Sequence, residues 1–568
     1  RGAVGRVTLG RPGMEGGTVT PHNVLGIELN PRAAALAELV LWIGWLQWQI
    51  RTGGEKSVAE PVVHDYGNIA CRDAVLAYDG REPATDAEGR PITRWDGKTT
   101  KVHPVTGEQV PDDTARVPEW RYLNPRQAQW PQADFIVGNP PFIGKLKMRE
   151  ALGDGYVTAL RNTYALVPDS ADLVMYWWHK SAEAASEGTC TQFGLITTNS
   201  LTMNYNRRVV DHHLTAKKPI YLAFAIPDHP WVDNAQGAAV RIAMTVGAPG
   251  SGQGNLQTVV SEDSADADAR PVEFASRHGL IHANLVIGAN VAEASRLMAN
   301  SRISAMGMIL VGAGFIVEPG DPLLTQEPER IRPYLNGKDL TQRSRGVHVI
   351  DLYGLTAEEV RQRYPACFQR LHERVKPERD VSNDKSLREN WWLFRRTNIQ
   401  LRDAIANLPR YIGTTETAKH RIFSFIPGTV TPDQKIRVIG SSEPFMLGIL
   451  SSKAHVDWSL AAGGRLGVGN DPVYNNTLCF EKFPFPSDDT GLTPAVTACI
   501  GQLAEELDAF RKARQAAHES VTLTGMYNVL DKLRREEPLN AKDKALHEQA
   551  LVGVLRTLHD ELDAAVLE

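Results

Sequence analysis

Val24 to Leu29 is a short apolar run, and Pro31 follows it where the first turn of a helix accepts a proline. Arg32 to Gln49 carries apolar residues at helical spacing, and its richest part, Leu39 to Ile50, is interrupted by Gln47 and Gln49. That pattern predicts a buried helix. Asn68 to Leu76 (NIACRDAVL) predicts a second, shorter strand, so the chain opens as strand, helix, strand, the beginning of an open α/β sheet.

Between 77 and 131, Gly, Pro, Thr and charged residues replace the periodic apolar positions, which predicts an excursion from the sheet. The sheet resumes at Phe135-Ile136-Val137. A helix over Ala171 to Ala185 follows, then strands over Phe193 to Leu201 and Ala238 to Gly247, and GAPGSGQGN (247–255) reads as a flexible turn or linker. From 303 to 486, short mixed segments, clustered arginines and aromatic pairs such as Trp391-Trp392 predict a separate α+β domain. The final stretch is helical, with Thr493 as N-cap and Pro494 in the first turn. The predicted organisation is an α/β domain over 1–250, a connecting segment over 251–300, an α+β domain over 301–487 and a helical region over 488–568.

A chain of 568 residues exceeds the roughly 250 to 300 that one core holds, in keeping with this division. Apolar residues at 42% and charged residues at 23% are ordinary for a globular protein, and no unbroken run of about 18 apolar residues is present, so no membrane partner is expected. Five widely spaced cysteines give neither a disulfide framework nor a zinc site, which makes a reducing, cytoplasmic location the expectation. The chain starts at Arg1 rather than at a methionine, so its true N-terminus is expected upstream. The net charge of -5 is unevenly distributed: Arg330 to Arg421 holds 19 Lys/Arg against 11 Asp/Glu. A basic segment in an acidic protein suits a localised phosphate-binding surface, although a solvated face would look the same.

Asn139-Pro140-Pro141-Phe142 stands just beyond the strand at Phe135, where α/β folds place their ligands. Prolines stiffen the backbone and remove donors, leaving the Asn139 side-chain oxygen and the Pro140 carbonyl as a fixed pair of acceptors beside the Phe142 ring. Two acceptors on the hydrogens of an aromatic amine direct its lone pair outward and stabilise the charge that develops as it attacks. The ring offers a stacking surface for a flat base. The tetrapeptide therefore suits methylation of a base amine, while a turn in which asparagine caps and prolines end a strand is the alternative. Glu28 ends the first strand, where a carboxylate takes the hydroxyls of a ribose, and Asp73 follows the second, placed to receive the donor's adenine amine. Either acid by itself is more often a cap or a surface charge.

GIELNPRAAALAELVLWIGWLQW, NIACRDAVL, DFIVGNPPF, SADLVMYWW, FGLITTNSL and IPDHPWVD together resemble, in sequence and order, the blocks of amino-methylating DNA methyltransferases of the γ arrangement. The likeness is greatest to the adenine-N6 enzymes of DISARM phage-defence systems and then to type IIG/IIL restriction-modification enzymes. It implies an α/β, Rossmann-like methyltransferase domain using S-adenosylmethionine, followed by an α+β target-recognition domain and a C-terminal helical region. By that resemblance Asn139, Pro140, Pro141 and Phe142 would grip and stack a flipped adenine, Glu28 would take the cofactor's ribose and Asp73 its adenine amine, with Asn30, Ala74 and Asn139 also among the cofactor-binding residues. Double-stranded DNA is the implied partner, with other defence proteins beside it. IRPYLNGKDL near Ile331 and FPFP near Phe483 resemble borders of the recognition domain. The family's glycine-bearing cofactor loop should precede Val24 and is not evident in 1–23, so it too is expected upstream.

Arg388 to Arg402 (RENWWLFRRTNIQLR) interleaves basic and aromatic residues, which suits DNA contact or, equally, a helix packing Trp391, Trp392 and Phe394 into a core. Lys338, Arg343, Arg345, Arg395 and Arg396 are the candidate DNA contacts. Asp228-His229-Pro230-Trp231 reads as a loop beside the base pocket or as a turn with a packed tryptophan. Asp211-His212-His213 lacks a third metal ligand at useful spacing and reads as a helix surface, so no metal is expected. The glycine clusters at 247–254 and 463–469 read as turns, since neither follows a strand and opens a helix. Loops of the N-P-P-[YF] kind also serve methyltransferases of RNA bases and of protein glutamines. A DNA-binding subunit with a vestigial catalytic site is the rival of another class.

Overall fold

Two strands, β1 (Gly26–Glu28) and β2 (Ile69–Cys71), pair in parallel with Glu28 opposite Cys71, and α1 (Pro31–Gly53) lies between them in the chain. This is the arrangement expected of the opening segment. The helix is not the buried one expected: Ala34 and Trp42 are buried, whereas Leu36, Leu39, Val40 and Ile43 remain about half exposed or more. Its apolar residues run round the whole cylinder, and one strand pair covers only one side of it. Pro31–Arg51 is also long and apolar enough to cross a membrane, which the broken apolar run did not suggest. Its place between two parallel strands is that of a crossover helix.

The computed structural model describes residues 20–53, 67–102, 109–231, 240–262, 272–466 and 471–568. They fall into two compact units, Arg1–Gly288 and Ala289–Glu568. The expected glycine-bearing cofactor loop falls on positions outside the described residues.

After β2 the chain turns at Asp73 into β3 (Leu76–Ala77) and then leaves the sheet as expected, but not as an irregular excursion. β4 (Gly80–Pro83), β5 (Thr93–Trp95), β6 (Thr100–Val102), β7 (Gln109–Pro111), β8 (Arg116–Pro118) and β9 (Trp120–Leu123) form three nested antiparallel ladders, β4 with β9, β5 with β8 and β6 with β7. The result is a ribbon whose two ends meet where β10 (Arg126–Gln127) pairs with β3. Strands of three or four residues, rich in proline and charge, carry too little alternation to be read in advance.

β11 (Phe135–Gly138) leads to the tetrapeptide and to α2 (Lys145–Leu152), α3 (Asp154–Thr163) and α4 (Val174–Glu187). Gly155 lets α3 lie against the ribbon, since a Cβ there would fall 1.7 Å from the carbonyl oxygen of Trp120. β12 (Gln192–Thr198) alternates in burial, with Phe193 and Leu195 in the core, and α5 (Asn204–Leu214) follows. β13 (Ile220–Trp231), β14 (Val240–Pro249), β15 (Gly254–Glu262) and β16 (Val272–Gly279) complete a six-stranded sheet of order β11-β12-β14-β13-β15-β16. The glycines after 247 thus turn the chain back into the sheet instead of linking out of it, and the first compact unit runs to Gly288. Asp228 to Trp231 is the end of β13, shifted in register between Ile226 and His229, not a loop.

In the second unit, β17 (Ser304–Met306), β18 (Ile316–Val317), β19 (Ile331–Leu335), β20 (His348–Ile350), β21 (Arg410–Thr415), β22 (Ser424–Pro427), β23 (Thr431–Pro432) and β24 (Ile436–Ile439) build two small sheets, an antiparallel one of order β17-β24-β21-β22 and a mixed one of order β18-β20-β19-β23. Short helices between β20 and β21 pack on them, and four helices from Pro494 to Leu567 end the chain. Thr493 caps the first of these by accepting from the Val496 amide at 3.2 Å, as its position predicts.

Candidate functional site

Glu28 Oε1 accepts the Asn30 amide at 2.8 Å, and the Asn30 side-chain oxygen in turn accepts the Arg32 amide at 3.0 Å, capping α1. The second Glu28 oxygen, at the carboxyl end of β1, has no hydrogen-bond partner among the described residues. Because Glu28 lies opposite Cys71, Asp73 stands two residues beyond the same edge of the parallel pair. Asp73 Oδ1 accepts the Val75 and Leu76 amides at 2.8 and 3.0 Å, and Oδ2 accepts the Tyr156 hydroxyl at 2.7 Å. Burial first, then the Asp73 carboxylate, push the Tyr156 phenol well above its ordinary pKa, so it stays a donor. The Ala74 carbonyl accepts Trp130 Nε1 at 2.6 Å, and the Val75 carbonyl accepts the Tyr164 hydroxyl at 2.6 Å. Two carboxylates at adjacent strand ends, each with acceptor capacity left, fit a nucleoside carrying vicinal hydroxyls and an exocyclic amine.

Asn139 and Pro141 are exposed at the end of β11, Pro140 is buried, and Phe142 is half-buried against the main core. That core also contains Val75 and Leu76, so the Asp73 turn and the tetrapeptide rest on one packed body. Behind the tetrapeptide stands a clamp the sequence did not single out. The Asp172 carboxylate accepts the Lys145 amide at 3.2 Å, the Ser200 hydroxyl at 2.7 Å and the Asn206 amide group at 2.8 Å, while the Leu173 amide donates to the Ile143 carbonyl at 3.0 Å. Both Asp172 and Ser200 sit inside the blocks SADLVMYWW and FGLITTNSL, which was the one available signal.

Elsewhere in this unit, His213 is not on a helix surface as expected. Its Nε2 lies 2.8 Å from His179 Nδ1 inside the core, and burial, with His179 and His212 adding, lowers its pKa to about 3. No group of three or more His, Cys, Asp or Glu suited to a metal occurs among the described residues. Asp228 pairs with Arg241 at 2.6 Å and accepts the Asn199 side chain at 3.1 Å, while His229 stacks on Phe274.

Residues 12–259 match the MmeI DNA-methyltransferase domain, and residues 315–487 match the MmeI target recognition domain. The chain carries an MmeI-type methyltransferase domain and an MmeI-type target recognition domain. The fold agrees: a structure of the type IIL restriction-modification enzyme MmeI, determined in complex with DNA, superposes with a TM-score of 0.57 at 20% identity, over 76% of this chain and 54% of that one. DNA methyltransferase A of Bacillus subtilis (strain 168) is 24% identical over 495 residues, 83% of this chain and 48% of that protein. The chain thus spans about half the length of the relatives it matches.

Within the MmeI-type recognition domain several arginines are committed to carboxylates. Arg345 makes a two-pronged contact with buried Asp339 at 2.9 and 2.8 Å, Arg402 does the same with Asp351 at 2.8 and 3.0 Å, and Arg410 reaches Glu505. Of the other candidate contacts, Arg343 pairs with Glu519 at 3.4 Å, Arg395 with Asp384 at 3.5 Å, and Arg396 approaches the Met306 sulfur at 3.4 Å. Lys338 is exposed and has no ion-pair partner among the described residues. Trp391 and Phe394 lie in the core, so the aromatic half of RENWWLFRR packs inward while Arg388, Arg395 and Arg396 remain at the surface.

Proposed function

We propose that this chain transfers the methyl group of S-adenosylmethionine to the N6 amine of an adenine extruded from double-stranded DNA, as the modification part of a cytoplasmic restriction-modification or phage-defence system. The observation that carries this reading is the seating of Asn139 to Phe142 and of the Asp73 turn on one core, inside the MmeI-type domain match. When bound, the cofactor supplies an electrophilic methyl on sulfur. Glu28 would hold its ribose and Asp73 its adenine amine. The Asn139 oxygen and Pro140 carbonyl would take the target amine's two hydrogens, and Phe142 would stack on the base; extrusion costs a few kcal/mol, which these contacts offset. The proton leaves only after the methyl has moved, so no strong base is required. The recognition domain would select the site, with the defence partners of the DISARM resemblance acting beside it.

Incubating the chain with DNA and radiolabelled S-adenosylmethionine, then separating the nucleosides, tests this. N6-methyladenine is expected from the wild type, and Asn139→Ala should lower the rate by about 10² to 10³ with DNA affinity kept. Label on cytosine would correct the base. Label only on RNA or protein, or full binding and defence by the Asn139→Ala variant, would replace the reading with one of its rivals.

A further inference from the structure

A cavity of about 710 Å³ opens in the second unit between the end of β21, the segment joining β23 to β24, the residues after β19 and the helix Leu523–Arg534. Lys338, Lys419 and Lys435 line it, and all three are exposed. The one carboxylate among its described lining residues, Asp433, is engaged by neighbours: Oδ2 accepts the Tyr334 hydroxyl at 2.6 Å and Oδ1 the Lys435 amide at 2.8 Å. Glu416, which pairs with Lys435 at 2.7 Å, also pairs with buried Arg437. The Lys419 ammonium donates to Asn528 at 3.0 Å, 4.0 Å from Asp531, and His420 contacts the same Asn528 oxygen at 2.8 Å. Positive charge therefore remains at the mouth, whereas Arg345, Arg402 and Arg410 of the same domain are committed to carboxylates.

An ammonium on a flexible stem is a point charge without the planar fork that reads a base, which suits a phosphate contact that positions the duplex without reading its sequence. We propose that this cavity docks the sugar-phosphate backbone of duplex DNA, with Lys338, Lys419 and Lys435 on phosphates and the helix Leu523–Arg534 as its brace. The inference rests on the proposed DNA substrate. It also brings the C-terminal helices, which lie beyond the recognition-domain match ending at 487, into the DNA surface.

The test is fluorescence anisotropy of a labelled duplex of arbitrary sequence, titrated with the full chain at several potassium chloride concentrations. Each phosphate neutralised contributes about -0.9 to the slope of log affinity against log salt. The variant Lys338→Gln/Lys419→Gln/Lys435→Gln should bind at least about tenfold more weakly at low salt, with the slope shallower by about two to three, equally for arbitrary and methylatable duplexes. The matching triple arginine variant should keep the wild-type slope, and thermal unfolding reports whether each variant is folded. An unchanged slope in the folded glutamine variant overturns the inference, and so does an arginine variant that fails as badly. If the wild type methylates DNA while the glutamine variant keeps its slope, this inference alone is lost. A wild type that binds no duplex removes it together with the proposed function.

Discussion

The Tyr156 hydroxyl donates to Asp73 Oδ2 at 2.7 Å across 83 residues of sequence. It joins the acid expected to meet the cofactor's adenine to a helix that begins 12 residues after Phe142. Removing the hydroxyl leaves the carboxylate held by the Val75 and Leu76 amides on Oδ1 alone, with Oδ2 unrestrained by Tyr156. Tyr156→Phe should raise KM for S-adenosylmethionine about five- to tenfold, within the net value of one intramolecular hydrogen bond, with kcat nearly unchanged. An unchanged KM and kcat with only a lower unfolding midpoint would show that Tyr156 serves packing alone.

Asp172 gathers Lys145, Ser200 and Asn206 behind the tetrapeptide. Asp172→Ala removes this acceptor from three donors, of which Asn206 keeps Ser200 and Ser200 keeps Thr198, at about 1 to 3 kcal/mol for each group left unpaired. The expected outcome is a lower unfolding midpoint together with a kcat reduced about tenfold or more, while S-adenosylmethionine affinity, measured by calorimetry, is retained.

Buried Arg379 donates to the carbonyl oxygens of Leu310, Val311, Asn390, Trp391 and Leu393 and carries no carboxylate partner in those bonds. Burial pulls its pKa down to about 10, so it is charged at neutral pH. Arg379→Met should cost about 3 to 5 kcal/mol in urea unfolding, because five carbonyls then face an apolar side chain. Arg379→Lys should recover little of it, since a single ammonium cannot span the same fan of acceptors.

His213, His455 and His559 all have pKa values lowered to about 3, burial being the first cause in each. Their folded values lie below the ordinary 6.5, so the unfolded chain takes up protons that the folded chain refuses. The stability they permit is complete above about pH 6.5 and falls as pH drops from there toward 3, by up to about 1.4 kcal/mol per group per pH unit. Urea midpoints at pH 7.5 and 5.5 measure this, and His559→Gln should make the decline less steep. A midpoint that rises on acidification would contradict the assignment.

The opening strand–helix–strand and the strand before Asn139 were legible because their patterns are local: a proline after a short apolar run, an apolar triplet before Asn-Pro-Pro-Phe. The distant partners of some arginines in 330–421 were not. The basic excess there suggested an outward basic face, but Arg402 finds Asp351 across 51 residues and Arg410 finds Glu505 across 95, pairings that no periodicity announces. The same holds for His213, whose partner His179 lies on the preceding helix, and for Asp172, whose role depends on Ser200 and Asn206 arriving from another element. At α1 the pattern gave the helix correctly, but burial depends on what lies around it.

Ala77 and Arg126 face each other as paired residues at the root of the ribbon, so everything between them enters and leaves through one narrow neck. The root is not separable, because Trp120 fills the notch at Gly155 and Glu119 accepts the Asp154 amide at the start of α3. Beyond β5 and β8, no such constraint on the ladder of β6 and β7 occurs among the described residues. Length variation among kindred sequences should therefore collect at the tip, from about Thr99 to Asp112, and a transplanted tip should leave the remainder of the architecture undisturbed.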